Sequence, residues 1–103
     1  MSRYTLTPSA QEDLAGIRDY YLEEAGVRVA RQMLVEFVEA FRFLARNPGA
    51  GHQREDLAEG RSVLFWPMRD YLILYKPATK PLQILTIVRG SRDVPKTVGN
   101  RRV

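Results

Sequence analysis

With 103 residues, of which 45% are hydrophobic and 27% charged, the chain is long enough for one compact domain, too short for two of ordinary size, and unlike disordered chains in composition. It has no cysteine, which excludes disulfides, thiolate metal sites and cysteine nucleophiles. It also has no apolar run of the roughly 20 residues that span a bilayer, which excludes a transmembrane helix. We therefore expect a cytoplasmic protein. The net charge of +4 is unevenly distributed along the chain. Residues 1–60 carry seven Lys/Arg and ten Asp/Glu, whereas residues 61–103 carry nine Lys/Arg and two Asp/Glu. The strongly basic second half favours an acidic partner.

The first predicted elements are a short strand at residues 4–6 and a helix that begins at Pro8. Thr7 can accept a hydrogen bond from the first helical turn, and proline suits the first helical position because it has no N–H to leave unpaired. Ser9 and Glu12 offer an alternative capping box two residues later. Gly26 is expected to end this helix, whose stripe of apolar and semi-apolar residues is Ala10, Leu14, Ile17, Tyr21 and Ala25.

A second helix is predicted from about residue 28 to residue 46, where the sequence NPGAG stops it. Two amphipathic helices joined by so short a turn are expected to lie antiparallel as a helical hairpin. Its apolar stripe is the most regular in the chain and consists of Ala30, Met33, Leu34, Phe37, Phe41 and Leu44.

Three further strands are predicted at residues 63–66, 71–75 and 82–88, separated by the turn-like sequences PMRD and PATKP. Strands joined by such short loops are antiparallel neighbours. The predicted fold class is therefore α+β, in the order β-α-α-β-β-β, with an antiparallel sheet and the N-terminal helical hairpin packed on one face. Residues 1–103 are expected to form a single domain, with 97–103 as a flexible basic tail.

Few residues in the sequence are suited to acid–base or metal chemistry. His52 is the single histidine and is most simply a solvated loop residue, with a general base near neutral pH as the alternative. The nearby carboxylates Glu55, Asp56 and Glu59 are interpreted as a solvated acidic loop. The sequence indicates neither a metal ion nor an organic cofactor.

Five basic residues of the second half form the more informative set: Arg61, Arg69, Arg89, Arg92 and Lys96. Each could be an ordinary solvated cation, and Arg89 or Arg92 could pair with Asp93. Arg89, however, is expected where the last strand ends, beside a glycine that allows a partner to approach the backbone. Because guanidinium groups bind carboxylates and phosphates bidentately, the strand end is a candidate site for recognising anions.

Phe65 and Trp66 stand side by side on a predicted strand. Because side chains alternate between the two faces of a strand, one of them is expected to enter the core. The other is either covered by a helix or exposed as a contact for a partner.

Four segments carry a resemblance to a known family: YTLTPSAQEDLAGIRDYY, LARNPGAGHQR, GRSVLFWPMRDYLILYK and ILTIVRGSRDVP. In this order they resemble the RelE/ParE superfamily of type II toxin–antitoxin toxins, over about residues 4–95. The β-α-α-β-β-β topology of that superfamily agrees with the pattern described above. RelE-like members are ribosome-dependent ribonucleases that cut mRNA, whereas ParE-like members are known as poisons of DNA gyrase.

Two departures favour the ParE-like branch. Arg89 stands where the superfamily often has a histidine, and no tyrosine follows Tyr75 to match the C-terminal tyrosine of RelE-like members. Arginine stays protonated and can stabilise phosphate charge, but it is a poor general base. The resemblance therefore implies a toxin that inhibits DNA gyrase by binding and is neutralised by a cognate, ParD-like antitoxin in a hetero-oligomer.

The resemblance also assigns roles to residues. Target binding is predicted for Arg89, Arg92 and Lys96. Antitoxin binding is predicted for Phe65, Trp66, Arg61 and Arg69. Two alternatives remain: an mRNA interferase that uses His52, Arg61, Arg89 and Arg92, and a nontoxic module that engages an antitoxin.

Overall fold

The computed structural model describes residues 3–53 and 63–90. The residues described form two helices and a five-stranded sheet, which confirms the α+β prediction. In chain order the elements are β1 (Tyr4–Leu6), α1 (Pro8–Ala25), α2 (Val27–Arg46), a 3-10 turn (Pro48–Ala50), β2 (His52–Gln53), β3 (Leu64–Met68), β4 (Tyr71–Lys76) and β5 (Leu82–Arg89). Neither of these helices is both long and apolar enough to cross a membrane.

Thr7 joins the start of α1 to the sheet. Its hydroxyl accepts a hydrogen bond from the Ala10 N–H (3.1 Å) and donates one to the Leu85 carbonyl (2.7 Å). Pro8 occupies the first turn of the helix, where no N–H is required. The predicted cap is therefore confirmed, and the same side chain also fixes α1 beside β5.

Gly26 forms the whole connection between the two helices. Its φ of 93° lies in the left-handed region, which favours glycine because it has no Cβ. Its N–H donates to the Tyr21 carbonyl (2.9 Å), and its own carbonyl accepts from the Ala30 N–H (3.1 Å). One residue thus ends α1 and begins α2, and the predicted helical hairpin is confirmed.

The sheet has the order β1-β5-β4-β3-β2, and it is mixed rather than antiparallel throughout. Strands β3, β4 and β5 are antiparallel neighbours, as predicted, and β2 is antiparallel to β3. Strand β1 pairs in parallel with β5 at residues 82–84. Because the helical hairpin separates β1 from the other strands in sequence, the chain has enough length to return in the parallel direction. The two-residue strand β2 was not predicted.

Strand β3 is longer than predicted because Pro67 and Met68 continue it rather than belonging to a turn. Strand β2 pairs with β3 only at residues 64 and 65. Beyond that point no other described strand pairs with the outer side of β3. A strand at the edge of a sheet tolerates a proline, which cannot donate a hydrogen bond. The turn to β4 is reduced to Arg69, whose φ is 55°, and Asp70.

The core lies between the helical hairpin and one face of the sheet. Strand β4 contributes Tyr71, Ile73 and Tyr75, which alternate along the strand and pack against the stripe of α2. Tyr75 also fixes the entry to β2, because its hydroxyl donates to the Pro48 carbonyl (2.6 Å) and accepts from the Gly51 N–H (2.9 Å). The fully buried large side chains are Phe37, Phe41, Leu44, Ile73, Tyr75 and Ile84.

A candidate binding site at the end of strand β5

Arg89 is the exposed last residue of β5. The chain turns away immediately after it, because Gly90 adopts a φ of 92° and donates its N–H to the Asp70 carbonyl at 2.6 Å. The prediction that Arg89 emerges at the strand end beside a glycine is confirmed by this geometry. The guanidinium is thus carried by a rigid sheet rather than by a loop.

An aromatic ring rather than a carboxylate supports the Arg89 side chain. Its guanidinium carbon lies 5.4 Å from the centre of the Tyr20 ring, a cation–π arrangement. A hydrogen bond with Tyr20, and then the charge interaction with Tyr71, raise the pKa of Arg89 above its ordinary value. In the part of the chain that the structure describes, no carboxylate forms an ion pair with it. The positive charge therefore remains available to a partner.

Three tyrosines lie beside this arginine. The Tyr71 hydroxyl donates to the Tyr21 hydroxyl at 3.4 Å, and the rings of Tyr20 and Tyr21 meet edge to face at 5.0 Å. Burial raises the pKa of Tyr71 above its usual range, so this hydroxyl stays protonated at neutral pH. The cluster can donate hydrogen bonds and offer ring faces, but the Tyr71 hydroxyl is a poor proton acceptor.

A cleft of about 370 Å³ opens between α1 and the end of β5. We name it the α1–β5 cleft. Its walls are formed by Glu12, Asp13, Gly16, Ile17 and Tyr20 of α1, by Tyr71 of β4, and by Ile87 and Arg89 of β5. Glu12 and Asp13 are the acidic residues of the cleft and Arg89 is the basic one, and the Asp13 carboxylate is already hydrogen-bonded to Thr86 and Ile87 of β5. None of these α1 residues was predicted as a site residue. Gly16 could have been noticed, because a glycine inside a helical pattern can indicate a packing or functional requirement at that position.

Arg69 is at the same end of the sheet as Arg89 but is already engaged. Its guanidinium donates two hydrogen bonds to the Glu36 carboxylate, at 2.5 Å and 2.7 Å. This pairing, aided by Gln32, lowers the pKa of Glu36 to about 2. A role for Arg69 in antitoxin binding stays a prediction, and it would require this ion pair to open or to be shared.

Phe65 and Trp66 point to different sides of β3. Trp66 packs against the core, and its ring lies 5.1 Å from that of Phe43 on α2. Phe65 is half-buried, with its ring 5.3 Å from the His52 ring. His52 is also stacked on Trp66, with 9° between the ring planes and 6.3 Å between the ring centres. These aromatic residues form one group at the β2–β3 side of the sheet.

His52 and Arg89 are not brought together. His52 is exposed on β2, and three strand spacings separate β2 from β5 in the sheet, a lateral distance of about 14 Å. This separation gives no support to a shared catalytic site for the two residues. Arg61, Arg92 and Lys96 lie outside the described residues, as do Asp93, the acidic loop and the basic tail.

The sequence and the fold were compared with those of known proteins. The family described as "ParE toxin of type II toxin-antitoxin system, parDE" matches residues 4–94. Among solved structures, the "Chromosomal ParDE TA system from P. aeruginosa" is 25% identical in sequence and has a TM-score of 0.71. That similarity covers 87% of this chain and 97% of the other. No curated protein gives a significant match.

Proposed function

We propose that this chain, which belongs to the ParE toxin family of type II toxin–antitoxin systems, acts by binding and inhibiting DNA gyrase and is neutralised by a cognate antitoxin. The observation that carries the proposal is the exposed Arg89 guanidinium, held on the Tyr20 ring and free of a carboxylate within the described residues. Such a group suits binding to an anionic or acidic surface.

The neighbourhood of Arg89 supports binding rather than catalysis. Transfer of a proton at neutral pH needs a group that changes its protonation state there. Arg89 and Tyr71 both have raised pKa values and hold their protons at that pH. The single histidine lies three strands away. If an mRNA interferase acted at Arg89, its general base would therefore have to be a residue other than Arg89 and Tyr71.

A gyrase supercoiling assay with purified protein tests the proposed target. The chain should inhibit supercoiling or cause cleaved DNA to accumulate, and Arg89→Gln should weaken the effect about tenfold or more, because a charge-assisted contact is lost. Lys80→Gln is the matched control, since Lys80 is an exposed cation in the turn before β5, at the opposite end of that strand. Absence of any effect at micromolar protein would rule out this target.

Inducible expression separates this proposal from the two alternatives. Arrested growth with a DNA-damage response supports gyrase as the target, whereas arrest with rapid loss of mRNA supports an interferase. Normal growth supports a nontoxic module. Co-expression of the antitoxin should restore growth, and we propose that it covers Phe65, Trp66, Arg61 and Arg69.

A further inference from the structure

Within the part of the chain that the structure describes, the outer edge of β5 is only partly covered by other backbone. Strand β1 pairs with residues 82–84, and the chain then leaves the sheet at Thr7 to begin α1. After that point, two side chains form hydrogen bonds with some of the groups along the edge. The Thr7 hydroxyl binds the Leu85 carbonyl, and the Asp13 carboxylate accepts hydrogen bonds from the Thr86 hydroxyl (2.6 Å) and the Ile87 N–H (3.0 Å).

Among the described residues, nothing covers the last groups of this edge in the same way. Successive residues of an antiparallel strand direct their N–H and carbonyl groups to opposite sides, so residues two apart direct them to the same side. Because Ile87 N–H points to Asp13 and Gly90 N–H points to Asp70 on the β4 side, the Ile87 carbonyl and the Arg89 N–H face away from β4. Neither group has a hydrogen bond within residues 3–53 and 63–90. They form a short open edge beside the α1–β5 cleft.

The opposite wall of the cleft contains a glycine in the middle of a helix. A Cβ placed on Gly16 would have no atom within 4 Å apart from its chain neighbours and the backbone of its own helix, so packing within the described fold does not require glycine there. Glycine in a helix interior is less stable than alanine. The absence of a side chain at this position therefore widens the cleft without serving the packing of the hairpin.

We infer that the α1–β5 cleft binds an extended, carboxylate-bearing segment of a protein partner. The segment adds to the edge of β5, where its backbone accepts from the Arg89 N–H and donates to the Ile87 carbonyl. Its carboxylate binds the Arg89 guanidinium, and a small side chain occupies the space above Gly16. Repulsion from Glu12 and Asp13 directs the carboxylate toward the Arg89 end. The inference deepens the proposed function, on which it rests for the role of Arg89 in binding a partner.

An NMR titration of the full chain, labelled with ¹⁵N, tests this inference. The probe is a heptapeptide of alternating alanine and threonine with one central glutamate. The amide signals of Ile87 and Arg89 should move most, and replacing the glutamate by glutamine should weaken binding about tenfold. A version of the peptide that is N-methylated at alternate residues should lose several-fold in affinity because it cannot donate along that edge.

Gly16→Ala separates a binding role from a structural one. The substitution should raise Tm by about 4 °C, because alanine favours the helix, and should weaken peptide binding about threefold or more because the methyl group narrows the cleft. Gly49→Ala is the matched control, since Gly49 likewise has open space around it and lies outside the cleft. It should leave the affinity unchanged.

Several results would overturn the inference. These are a peptide that does not bind, signal changes confined to another face, or a Gly16→Ala chain that binds as well as the original. The supercoiling assay answers a separate question. A chain that binds the peptide but leaves gyrase active would contradict the proposed target and leave the cleft as the binding site, whereas an inhibitory chain without peptide binding would contradict the cleft alone.

Discussion

Arg69 and Arg89 stand at the same end of the sheet but differ in what holds them. Arg69, in the turn between β3 and β4, makes two hydrogen bonds to Glu36 of α2. Arg89, at the end of β5, lies over the Tyr20 ring of α1. A carboxylate neutralises the first cation and links the sheet to a helix. A ring orients the second, and no carboxylate among the described residues compensates its charge. Similar residues in similar places therefore differ in whether an internal partner holds the charge, and we propose a target-binding role only for Arg89.

The largest expected effect follows from making Arg89 resemble Arg69. Tyr20→Glu places a carboxylate on the helix that supports Arg89, and the new ion pair would neutralise the binding group. Inhibition of gyrase should fall about tenfold or more, since a partner must now compete with an internal carboxylate. Tm should change little, because Tyr20 is 44% exposed.

Tyr20→Phe provides the control for this substitution. It keeps the ring beneath the guanidinium and introduces no charge. Its inhibition should stay much closer to that of the original chain. Equal losses in the two variants would show that the tyrosine hydroxyl, rather than the open charge, determines the activity, and the comparison between the two arginines would fail.

A smaller effect is expected when the other arginine is released. Glu36→Gln removes the carboxylate that binds Arg69 and should lower the free energy of unfolding by about 1 kcal/mol, the upper range for a surface pair. Inhibition of gyrase should not change, because the proposed contact with the target is made by Arg89. Chemical denaturation and the supercoiling assay measure the two outcomes, and a variant of full stability but reduced inhibition would reverse the assignment.

The pH dependence of the same pair gives the smallest effect. The pKa of Glu36 is lowered from 4.5 to about 2 in the folded chain, so its contribution to stability is complete above pH 4.5 and is lost as the pH falls toward 2. The difference in unfolding free energy between the original chain and Glu36→Gln should therefore shrink between pH 5 and about 2. A difference that stays constant over this interval would mean that the ion pair does not stabilise the fold.

The parts of the fold that depend on neighbouring residues could be predicted from the sequence. Thr7, Pro8 and Gly26 act within one helical turn, and their effects follow from the side chain or backbone freedom of each residue. The parallel pairing of β1 with β5 could not be predicted, because it joins residues far apart in the chain. Strand β2 has two residues, too few for an alternating pattern to be recognised.

The same distinction applies to the candidate site. The exposure of Arg89 follows from a strand that ends at a glycine, so the sequence was sufficient to predict it. Its support by Tyr20 and the capture of Arg69 by Glu36 connect distant segments. Periodicity does not reveal such contacts. The sequence shows a glycine at position 16 inside a helix. Its proposed role in leaving space for a partner could not be predicted, because that role depends on the edge of β5 that lies opposite.

The single-residue connection at Gly26 limits how the hairpin can vary in length. Each residue of a helix turns it by about 100°. An extra residue absorbed into the start of α2 would rotate that helix by this angle relative to α1. Phe37 and Phe41, now fully buried, would swing away from the sheet, and charged side chains would take their places. The alignment of the two helices is therefore set by chain length at one point, and a change of one codon there would act on the entire interior.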